Sequence, residues 1–407
     1  MYSDYCKVEE LGQYYNHLTF CLGCMLCTRL EETHLINCPM YEYRKFKAYS
    51  GMGILRIAKA VAEGLIDISQ GVMDIVYYCT ECGSCVAQCK KRIGYVHLVN
   101  EYFDHLTILE ELRAMIVERG LLRIPAHKNS LESLVRYGNP FGVAKKEERL
   151  KWVRDLEFKV KFVPKEKASV LLYVGSMYAL EPLVCDTIKS VTRVLKAANV
   201  DFGLLEEEID DGLYALQLGE KALFEEITRR NIKTFNELSA ETIVTPDPHS
   251  YNAFKRYYPR IGRIDAEVLH ITEFVKDLIE EGKLKLTNVQ EVVTYHDPCN
   301  LGRRCDVYDA PRAVINAING LKLREMERIK ENAWCCGAGG GVMAAYPSFM
   351  AWASSKRIKE AELTGASTLI TACPWCEYAF KTALEATKSP INVQNIMELI
   401  ERSIKRS

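Results

Sequence analysis

The sequence has no excess of charge of either sign: 53 Lys and Arg residues face 54 Asp and Glu residues, a net charge of −1. This balance argues against a nucleic-acid-binding protein, which needs a basic surface. The first ten residues, MYSDYCKVEE, lack the basic and apolar regions of a signal peptide. No apolar run approaches the roughly 18–20 residues of a membrane span. We therefore expect a cytoplasmic protein, which a partner subunit could still hold at a membrane.

The sequence also lacks the nucleotide-binding patterns of dehydrogenases. A glycine-rich stretch is present at GAGGG (337–341), but its spacing is not G-x-G-x-x-G and no strand is predicted immediately before it. We therefore expect neither a nicotinamide nor a flavin site in this chain. Such a redox centre would belong to another subunit.

Cysteine, in contrast, is abundant, with 16 cysteines among 407 residues. In a long chain without an export signal they do not indicate a disulfide scaffold. They are clustered at spacings typical of metal ligands. More than half lie within residues 1–105, where two cysteine groups flank a segment with apolar residues at helical intervals. This region is predicted to be a small helical domain.

Beyond residue 105 the pattern changes twice. Residues 106–165 are charged and are predicted to form a mostly helical linker. From residue 166 short apolar strands alternate with helices, which predicts βαβ units and largely parallel sheets, with TLITACP as the last strand. TPDPHSYNAFK (245–255), with a helix expected near Tyr251, shares Thr, Pro and Ala-Phe-Lys with TACPWCEYAFK (371–381). This similarity predicts two related α/β domains, residues 166–285 and residues 286–407.

Two cysteine runs in the N-terminal domain predict two [4Fe–4S] cubane clusters. Three thiolates at C-x2-C-x2-C spacing can wrap one cube from a tight loop, whereas zinc sites use pairs of cysteines. In two-cluster ferredoxins the fourth cysteine of each run serves the other cluster. Two departures are the ten residues before Cys38, where three are usual, and Lys90 in place of the usual proline. By the ferredoxin rule one cluster takes Cys21, Cys24, Cys27 and Cys89, and the other takes Cys79, Cys82, Cys85 and Cys38.

A third group of five cysteines lies in the last domain, in YHDPCNLGRRC, WCCGAGGG and ACPWC. Adjacent cysteines point in different directions and cannot easily share one tetrahedral ion, so the set favours a multi-iron cluster. We expect Gly337, Gly339 and Gly340, which have no side chains, to bring backbone N–H groups close to this cofactor. The five candidate ligands are Cys299, Cys335, Cys336, Cys373 and Cys376.

The motifs HDPCxLGR, CCGAGGG and CPxC at these gaps resemble the cysteine-rich CCG domain of heterodisulfide reductases, where it occurs in the B and D subunits. The same domain occurs in the iron–sulfur subunits of anaerobic glycerol-3-phosphate and glycolate dehydrogenases. The resemblance implies an α/β fold, in which two related CCG-type α/β domains follow an N-terminal α-helical two-cluster ferredoxin-like domain. It also implies that the five cysteines hold a noncubane [4Fe–4S] cluster that cleaves disulfides in two one-electron steps, although some members hold zinc or a plain cluster there.

The resemblance further implies an oxidoreductase subunit that is active in a complex. In one hypothesis, electrons pass through the two cubanes to or from the CCG-bound cluster, which carries out thiol–disulfide redox chemistry. In the alternative, the chain only relays electrons between a flavin dehydrogenase subunit and a quinone or membrane subunit. The implied partners are a flavoprotein, a membrane cytochrome-like subunit or a thiol carrier protein.

The first α/β domain departs from the CCG pattern at every ligand position, and none of these positions is a cysteine. A hard cation bound by Asp210, Asp211, Asp247 and His249 is one interpretation. We favour the alternative that the fold was kept and the site lost, with carboxylates that are solvated or cap helices. The residues at the lost positions are Ser176, Asp210, Asp211, Asp247 and Ser250.

Residues beside the third group also have two interpretations each. His296 either donates a proton or hydrogen bond to a released thiolate, which would make it catalytic, or has a structural role. Asp297 either shares that donor role or begins a helix, and we favour the helix start because Asp-Pro is typical of the first positions of a helix. Arg303 and Arg304 are interpreted as solvated charges rather than groups that steer an acidic substrate.

Two tryptophans and three cysteines complete the candidates. Trp334 and Trp375 flank predicted ligands and are expected to shield the cluster from water. Cys6, Cys185 and Cys305 are not assigned to a site. Cys305 is either a spare thiol near the third group or, by default, a buried inert thiol.

Overall fold

The computed structural model describes residues 8–30, 32–93 and 105–404, without the side chains of residues 90–93. Cys6 and the Lys90 side chain therefore lie outside the described part of the chain. The N-terminal part consists of short helices joined by the cysteine loops. Its elements are α1 (Glu9–Gly12), α2 (Tyr15–Phe20), a 3₁₀ turn (Leu26–Thr28), α3 (Pro39–Arg44), α4 (Gly51–Ala62), α5 (Gln70–Tyr77) and α6 (Ser84–Ile93).

The segment predicted as a helical linker is indeed mostly helical, but it also supplies a strand. β1 pairs in parallel with β3 of the first sheet, so that sheet begins before residue 166. α7 packs against α4 and α11 and is buried along most of its length. The elements are α7 (His105–Glu118), α8 (Pro125–Tyr137), a 3₁₀ segment (Lys146–Asp155) and β1 (Lys161–Val163).

The first sheet has five strands in the order β1-β3-β2-β4-β5, and all of its pairs are parallel. The helix after β4 begins at Pro248, where the missing N–H of proline has no intrahelical partner to lose, rather than near Tyr251. The elements are β2 (Val170–Leu172), α9 (Ser176–Leu180), α10 (Asp186–Ala197), β3 (Phe202–Leu205), α11 (Leu213–Leu218), α12 (Lys221–Glu237), β4 (Thr242–Thr245), α13 (Pro248–Asn252), a π segment (Ala253–Tyr257), a 3₁₀ turn (Tyr258–Arg260), β5 (Glu267–His270) and α14 (Ile271–Glu280).

The second sheet has four parallel strands in the order β7-β6-β8-β9. β8 was predicted to be the last strand, but β9 follows it. β9 was missed because its sequence, NVQN, is polar, as an edge strand can be. The elements are β6 (Glu291–His296), α15 (Asp309–Asn316), β7 (Leu321–Leu323), a 3₁₀ turn (Lys330–Asn332), α16 (Val342–Ala345), α17 (Pro347–Glu362), β8 (Thr368–Thr371), α18 (Pro374–Thr387), β9 (Asn392–Asn395) and α19 (Ile396–Ser403).

The two sheets share one arrangement at the ends of their strands, as the similarity between TPDPHSYNAFK and TACPWCEYAFK predicts. Thr245 at the end of β4 pairs with His270, and Thr371 at the end of β8 pairs with Asn395. His270 and Asn395 both cap the following helix in a capping box. The mixed α/β fold with parallel sheets confirms the predicted fold class. Of the predicted site residues, Cys299 and Cys373 lie just after the carboxyl ends of β6 and β8, where ligands bind in parallel sheets.

The two sheets share one hydrophobic core, which includes Leu171 and Val244 of the first sheet and Val293 and Ile370 of the second. Helices of each half pack against helices of the other, α10 on α19 and α14 on α15. Among the described residues, no helix combines the length and apolar composition needed to cross a membrane.

His127 on α8 makes the stability of this fold sensitive to acid. Its Nε2 lies 3.0 Å from the carbonyl oxygen of Gly341, and burial lowers its pKa to about 4. The unfolded chain binds a proton at His127 below about pH 6.5, so the folded state loses stability as the pH falls from there towards 4.

The free energy of unfolding of the unmutated chain should fall between pH 6.5 and pH 5. We expect this fall to be about 2 kcal/mol smaller in His127→Gln. Denaturant titrations at both pH values measure this, with a substitution of the exposed His34, His34→Asn, as the control. Equal losses in the unmutated chain and His127→Gln would contradict the assignment.

Candidate functional site

Four cysteines of the N-terminal part line a cavity of about 30 Å³, which we name the inner site: Cys38, Cys79, Cys82 and Cys85. Gly51 is required at its wall, because a Cβ there would lie 2.6 Å from the Cβ of Cys85. Burial raises the pKa of the Cys79 thiol to about 12. A strongly charged metal centre would be needed to keep such thiols deprotonated as ligands. This soft donor set therefore fits an iron–sulfur cluster.

Four other cysteines form a second group, which we name the outer site: Cys21, Cys24, Cys27 and Cys89. Of these, Cys24 is exposed. Burial, followed by the charges of Cys21 and Cys24, raises the pKa of Cys89 to about 11. Burial, followed by the charges of Cys89, Cys21 and Cys24, also raises the pKa of Cys27. The loop between these cysteines turns through Met25, whose φ of 61° is in the left-handed region. The four thiols of the outer site are therefore close enough to influence one another's charge.

Helix α6 connects the inner and outer sites. Cys85 and Cys89 are four residues apart, which places them one turn apart on one face of the helix. Cys85 belongs to the inner site and Cys89 to the outer site. Each run thus sends its last cysteine to the other site, the grouping that the ferredoxin rule predicts.

The five cysteines of the last domain also meet. Cys335 contacts Cys299 and Cys336, and Cys336 lies 3.3 Å from Cys376, sulfur to sulfur. Cys373 precedes α18, and Cys376 lies in its first turn. Cys299 follows β6, the neighbour of β8, so parallel pairing brings the loops together. We name this group the five-cysteine site. Contacts between adjacent thiols suit a cluster with several irons better than a single ion.

The inner site and the five-cysteine site touch each other. The thiol of Cys82 contacts that of Cys335, and the Cys335 sulfur lies 3.5 Å from Oγ1 of Thr80. A Cβ on Gly339 would lie 2.6 Å from the Thr80 carbonyl oxygen, and one on Gly340 would lie 2.5 Å from that of Cys79. These two glycines therefore allow the loops of the two sites to approach.

The glycines of GAGGG were predicted to bring backbone N–H groups close to the cofactor. In the structure they also allow close packing of neighbouring elements. Gly339 and Gly340 line a small cavity of the five-cysteine site as well as the inner-site loop. Gly337 does not line that cavity, but its backbone N–H donates to the sulfur of Cys335 at 3.3 Å, close to the predicted ligands as expected. A Cβ there would lie 2.9 Å from the Cβ of Ala353, so Gly337 allows close packing against α17.

Comparisons with known proteins decide the family. The model of the cysteine-rich domain named CCG matches residues 183–255 and 293–381, and that of a 4Fe-4S dicluster domain matches residues 17–93. The chain is 31% identical over 338 residues to the D subunit of the dihydromethanophenazine:CoB–CoM heterodisulfide reductase of Methanosarcina mazei, covering 81% of this chain and 78% of that protein. The chain belongs to the CCG-domain iron–sulfur oxidoreductases.

Other members of the CCG family are longer than this chain. It is 33% identical over 339 residues to the probable iron-sulfur-binding oxidoreductase FadF of Bacillus subtilis, covering 81% of this chain and 46% of FadF. It is 29% identical over 416 residues to the EtfAB:quinone oxidoreductase of Syntrophomonas wolfei, covering 91% of this chain and 56% of that protein. The chain therefore spans about half the length of these two relatives.

In the first CCG-type half, the lost ligand positions form a buried polar cluster. Ser176 donates a hydrogen bond to Oδ2 of Asp210 at 2.6 Å, and Ser250 donates one to Oδ2 of Asp211 at 2.6 Å. Backbone N–H groups bond the other oxygens of these two carboxylates. Asp247 caps α13 by accepting the N–H of His249 at 2.9 Å, and its second oxygen accepts Nε1–H of Trp375 at 3.3 Å.

The expectation that these carboxylates are solvated is wrong, because Asp210, Asp211 and Asp247 are at most 5% exposed. The helix-capping role is correct for Asp247. Every carboxylate oxygen of the three already accepts a hydrogen bond. Among the described residues, these three carboxylates and His249 are not arranged to hold a metal ion. The alternative of a hard-cation site is therefore not supported.

Burial and mutual charge set the protonation of the polar cluster. Burial would lower the pKa of His249, but Asp211 and Asp247 outweigh it and raise the pKa to about 9. Burial raises the pKa of Asp247 to about 7 and, with the charge of Asp211, that of Asp210 to about 6. Near neutral pH, His249 is therefore a cation held between carboxylates.

His296 is 1% exposed and is not among the residues that line the cavity of the five-cysteine site. Its Nδ1 accepts a hydrogen bond from Nε of Arg357 at 3.1 Å, and its ring packs edge-on against Phe380. Burial and the charge of Arg357 hold its pKa well below the usual range. This neutral, enclosed imidazole favours the structural interpretation over the predicted proton donor.

Two predictions about the neighbouring loop are wrong. Asp297 does not begin a helix, since the next helix starts at Asp309; it forms a two-pronged ion pair with Arg312 at 2.7 and 2.9 Å. The arginines of this loop are not solvated. Arg303 donates to the Cys82 carbonyl oxygen at 2.7 Å, and Arg304 is 7% exposed beside the Tyr257 hydroxyl. Arg303 therefore fastens the inner site to the CCG domain.

The tryptophans differ in position. Trp375 lines the cavity of the five-cysteine site, whereas Trp334 is fully buried and donates to the Ala353 carbonyl oxygen at 2.9 Å.

Burial raises the pKa of the Cys305 thiol to about 12, as expected for an inert thiol. Cys185 lies beside α10 with its thiol 3.4 Å from the Pro182 carbonyl oxygen.

Proposed function

We propose that this chain carries electrons from a partner subunit to a thiol–disulfide reaction at the five-cysteine site. The inner and outer sites would each hold a [4Fe–4S] cubane, and the five-cysteine site a noncubane [4Fe–4S] cluster. A [4Fe–4S] cluster accepts and donates one electron at a time. The observation that carries the proposal is the contact between Cys82 of the inner site and Cys335 of the five-cysteine site.

The arrangement suggests a single route for the electrons. The outer site includes the exposed Cys24, which suits an entry point from a partner. One turn of α6 separates Cys89 of the outer site from Cys85 of the inner site. Electrons would then cross to the five-cysteine site beside Cys335.

The proposed reaction is the reduction of a disulfide to two thiols, with two electrons and two protons taken up as one S–S bond breaks. The electrons come from the partner, by class a flavoprotein or a membrane cytochrome-like subunit that would also hold the chain at a membrane. A thiol carrier protein is the proposed substrate class, because only the second half keeps its cysteines. The reverse direction would return the two electrons to the partner.

A second candidate is a pure relay, in which the five-cysteine site holds zinc or a non-catalytic cluster and electrons pass to a quinone or membrane subunit. The similarity to an EtfAB:quinone oxidoreductase across 91% of this chain favours it. The loss of all ligands in the first half also favours it, since one site of the pair is absent.

Metal content separates the two candidates. We expect about 12 iron atoms per chain after anaerobic purification, because three clusters of four irons are proposed. About eight irons with one zinc would contradict disulfide chemistry and leave the relay. Electron paramagnetic resonance (EPR) of the reduced protein checks that the iron is in clusters. An EPR signal that appears only when a thiol is added to the oxidised protein would support the thiol–disulfide reaction.

A further inference from the structure

The cavity at the five-cysteine site has walls from both halves of the chain. One wall consists of cysteines, with Cys299, Cys336, Cys373 and Cys376. The opposite wall comes from the half that lost its ligands, and it includes Gln217 at the end of α11 and His249 of α13. The half without thiols therefore still faces the site.

Gln217 presents a hydrogen-bond donor to the cavity, and no described residue accepts from it. Its side chain lines the cavity, and the residue is only 6% exposed. His249 occupies the amide oxygen, with its Nε2 at 3.0 Å from Oε1. Within the described residues no acceptor bonds Nε2 of Gln217. An N–H group that faces the cavity without a protein partner is available to a ligand that accepts a hydrogen bond.

His249 fixes which end of the amide faces the cavity. Its Nδ1 lies 3.6 Å from Oδ2 of Asp211, and its own backbone N–H is bonded to Asp247. Ser250 donates to the same Asp211 oxygen. Because His249 Nε2–H takes the amide oxygen, the NH₂ group of Gln217 is left for the cavity. Three residues at lost ligand positions thus hold the imidazole that orients Gln217.

The nearest candidate acceptor is sulfur. The cavity is about 20 Å³, its opposite wall is thiol, and its aromatic members are Tyr214 and Trp375. A thiolate or disulfide sulfur bound at the cluster proposed for this site would be an anionic or polarisable acceptor facing Gln217. A carboxylate would gain little there, because no Lys or Arg side chain lines the cavity in the described part of the chain.

We propose that Gln217 donates a hydrogen bond through Nε2 to the sulfur of a thiol ligand at the five-cysteine site, with His249 as a positioning residue. No covalent bond changes in this step. The first half would then have exchanged its cysteines for an oxygen network that shapes the substrate wall of the remaining site. This inference rests on the proposed thiol–disulfide function.

The test measures thiol affinity instead of turnover. The oxidised full-length protein, with its clusters, is titrated anaerobically with 2-mercaptoethanol while the thiol-dependent EPR signal is followed. We expect Gln217→Met to weaken the affinity at least tenfold, and Gln217→Glu, which keeps the size but replaces the donor with an oxygen, to weaken it further. Gln290→Met, the same change at an exposed position just before β6, should bind like the unmutated protein.

A double-mutant cycle tests the positioning role. His249→Ala should weaken thiol affinity, whereas adding it to Gln217→Met should have no further effect if His249 acts only through Gln217. Additive losses would overturn the positioning role. Unchanged affinity in both Gln217 variants would overturn the hydrogen bond. If Gln217→Met does not retain iron, Gln217→Glu decides alone. A missing thiol-dependent signal in the unmutated protein would instead overturn the proposed function.

Discussion

Replacing Cys336 with serine is expected to empty the five-cysteine site while both four-cysteine sites stay loaded. Iron should fall from about 12 to about 8 atoms per chain, and the thiol-dependent EPR signal should vanish. Cys336 is the central sulfur of the group, in contact with Cys335 and 3.3 Å from Cys376. A serine hydroxyl is a harder and far weaker ligand for such a cluster than a thiolate.

The matched control is Cys305→Ser, which removes a partly buried thiol outside the five-cysteine site. It should keep the full iron content and the thiol-dependent signal. Iron loss from the cubanes in Cys336→Ser, seen as a decline of their EPR intensity, would show that the sites do not load independently. Full iron retention in Cys336→Ser would contradict the assignment of Cys336 as a ligand.

The cysteine spacings predicted which cysteines lie together in the inner and outer sites, because these cysteines lie in short loops and, for Cys85 and Cys89, on one face of α6. The pairing of the loops after β6 and β8 followed from the strand pattern, since parallel neighbours end at the same edge of a sheet. The family and the α/β fold with parallel sheets were predicted correctly for the same reason: local periodicity and motif spacing determine both.

The contact between Cys82 and Cys335 could not be predicted, because it joins loops 253 residues apart that share no sequence pattern. Asp297 was misassigned for a related reason. Its local sequence favours a helix start, but the guanidinium of Arg312 competes for the carboxylate. The burial of Asp210 was missed because a sequence does not reveal that Ser176 will lie 2.6 Å away. Gln217 carries no sequence signal, and only its place in the cavity identifies it.

The two halves of the CCG pair now have different roles. In the second half, five thiols converge on one place. In the first, serine and aspartate occupy the equivalent places and satisfy one another with hydrogen bonds. An oxygen network of this kind is rigid only when every member has a partner. Loss of one member, as in Asp211→Ala, would therefore release His249 and, through it, Gln217.

Arg113 holds the inner site, the glycine run and the first CCG-type half together, and its loss should be strongly destabilising. It is fully buried on α7 and forms an ion pair with Glu81 at 2.5 Å. The same guanidinium donates to backbone carbonyl oxygens in all three regions, those of Cys79, Gln217 and Gly340. These contacts join the loops of the inner site and the five-cysteine site through one side chain.

We expect Arg113→Met to lower the free energy of unfolding by about 3–5 kcal/mol, because Glu81 stays buried without its cation. Adding Glu81→Gln should recover part of this loss, since no unpaired charge then remains. The exposed pair of Arg229 and Glu225 on α12 provides the control, and Arg229→Met should cost less than about 1 kcal/mol. Denaturant unfolding of the cluster-loaded protein measures all three. An equal loss in Arg113→Met and in the double variant would show that the backbone contacts of Arg113, rather than its pair with Glu81, hold the three regions together.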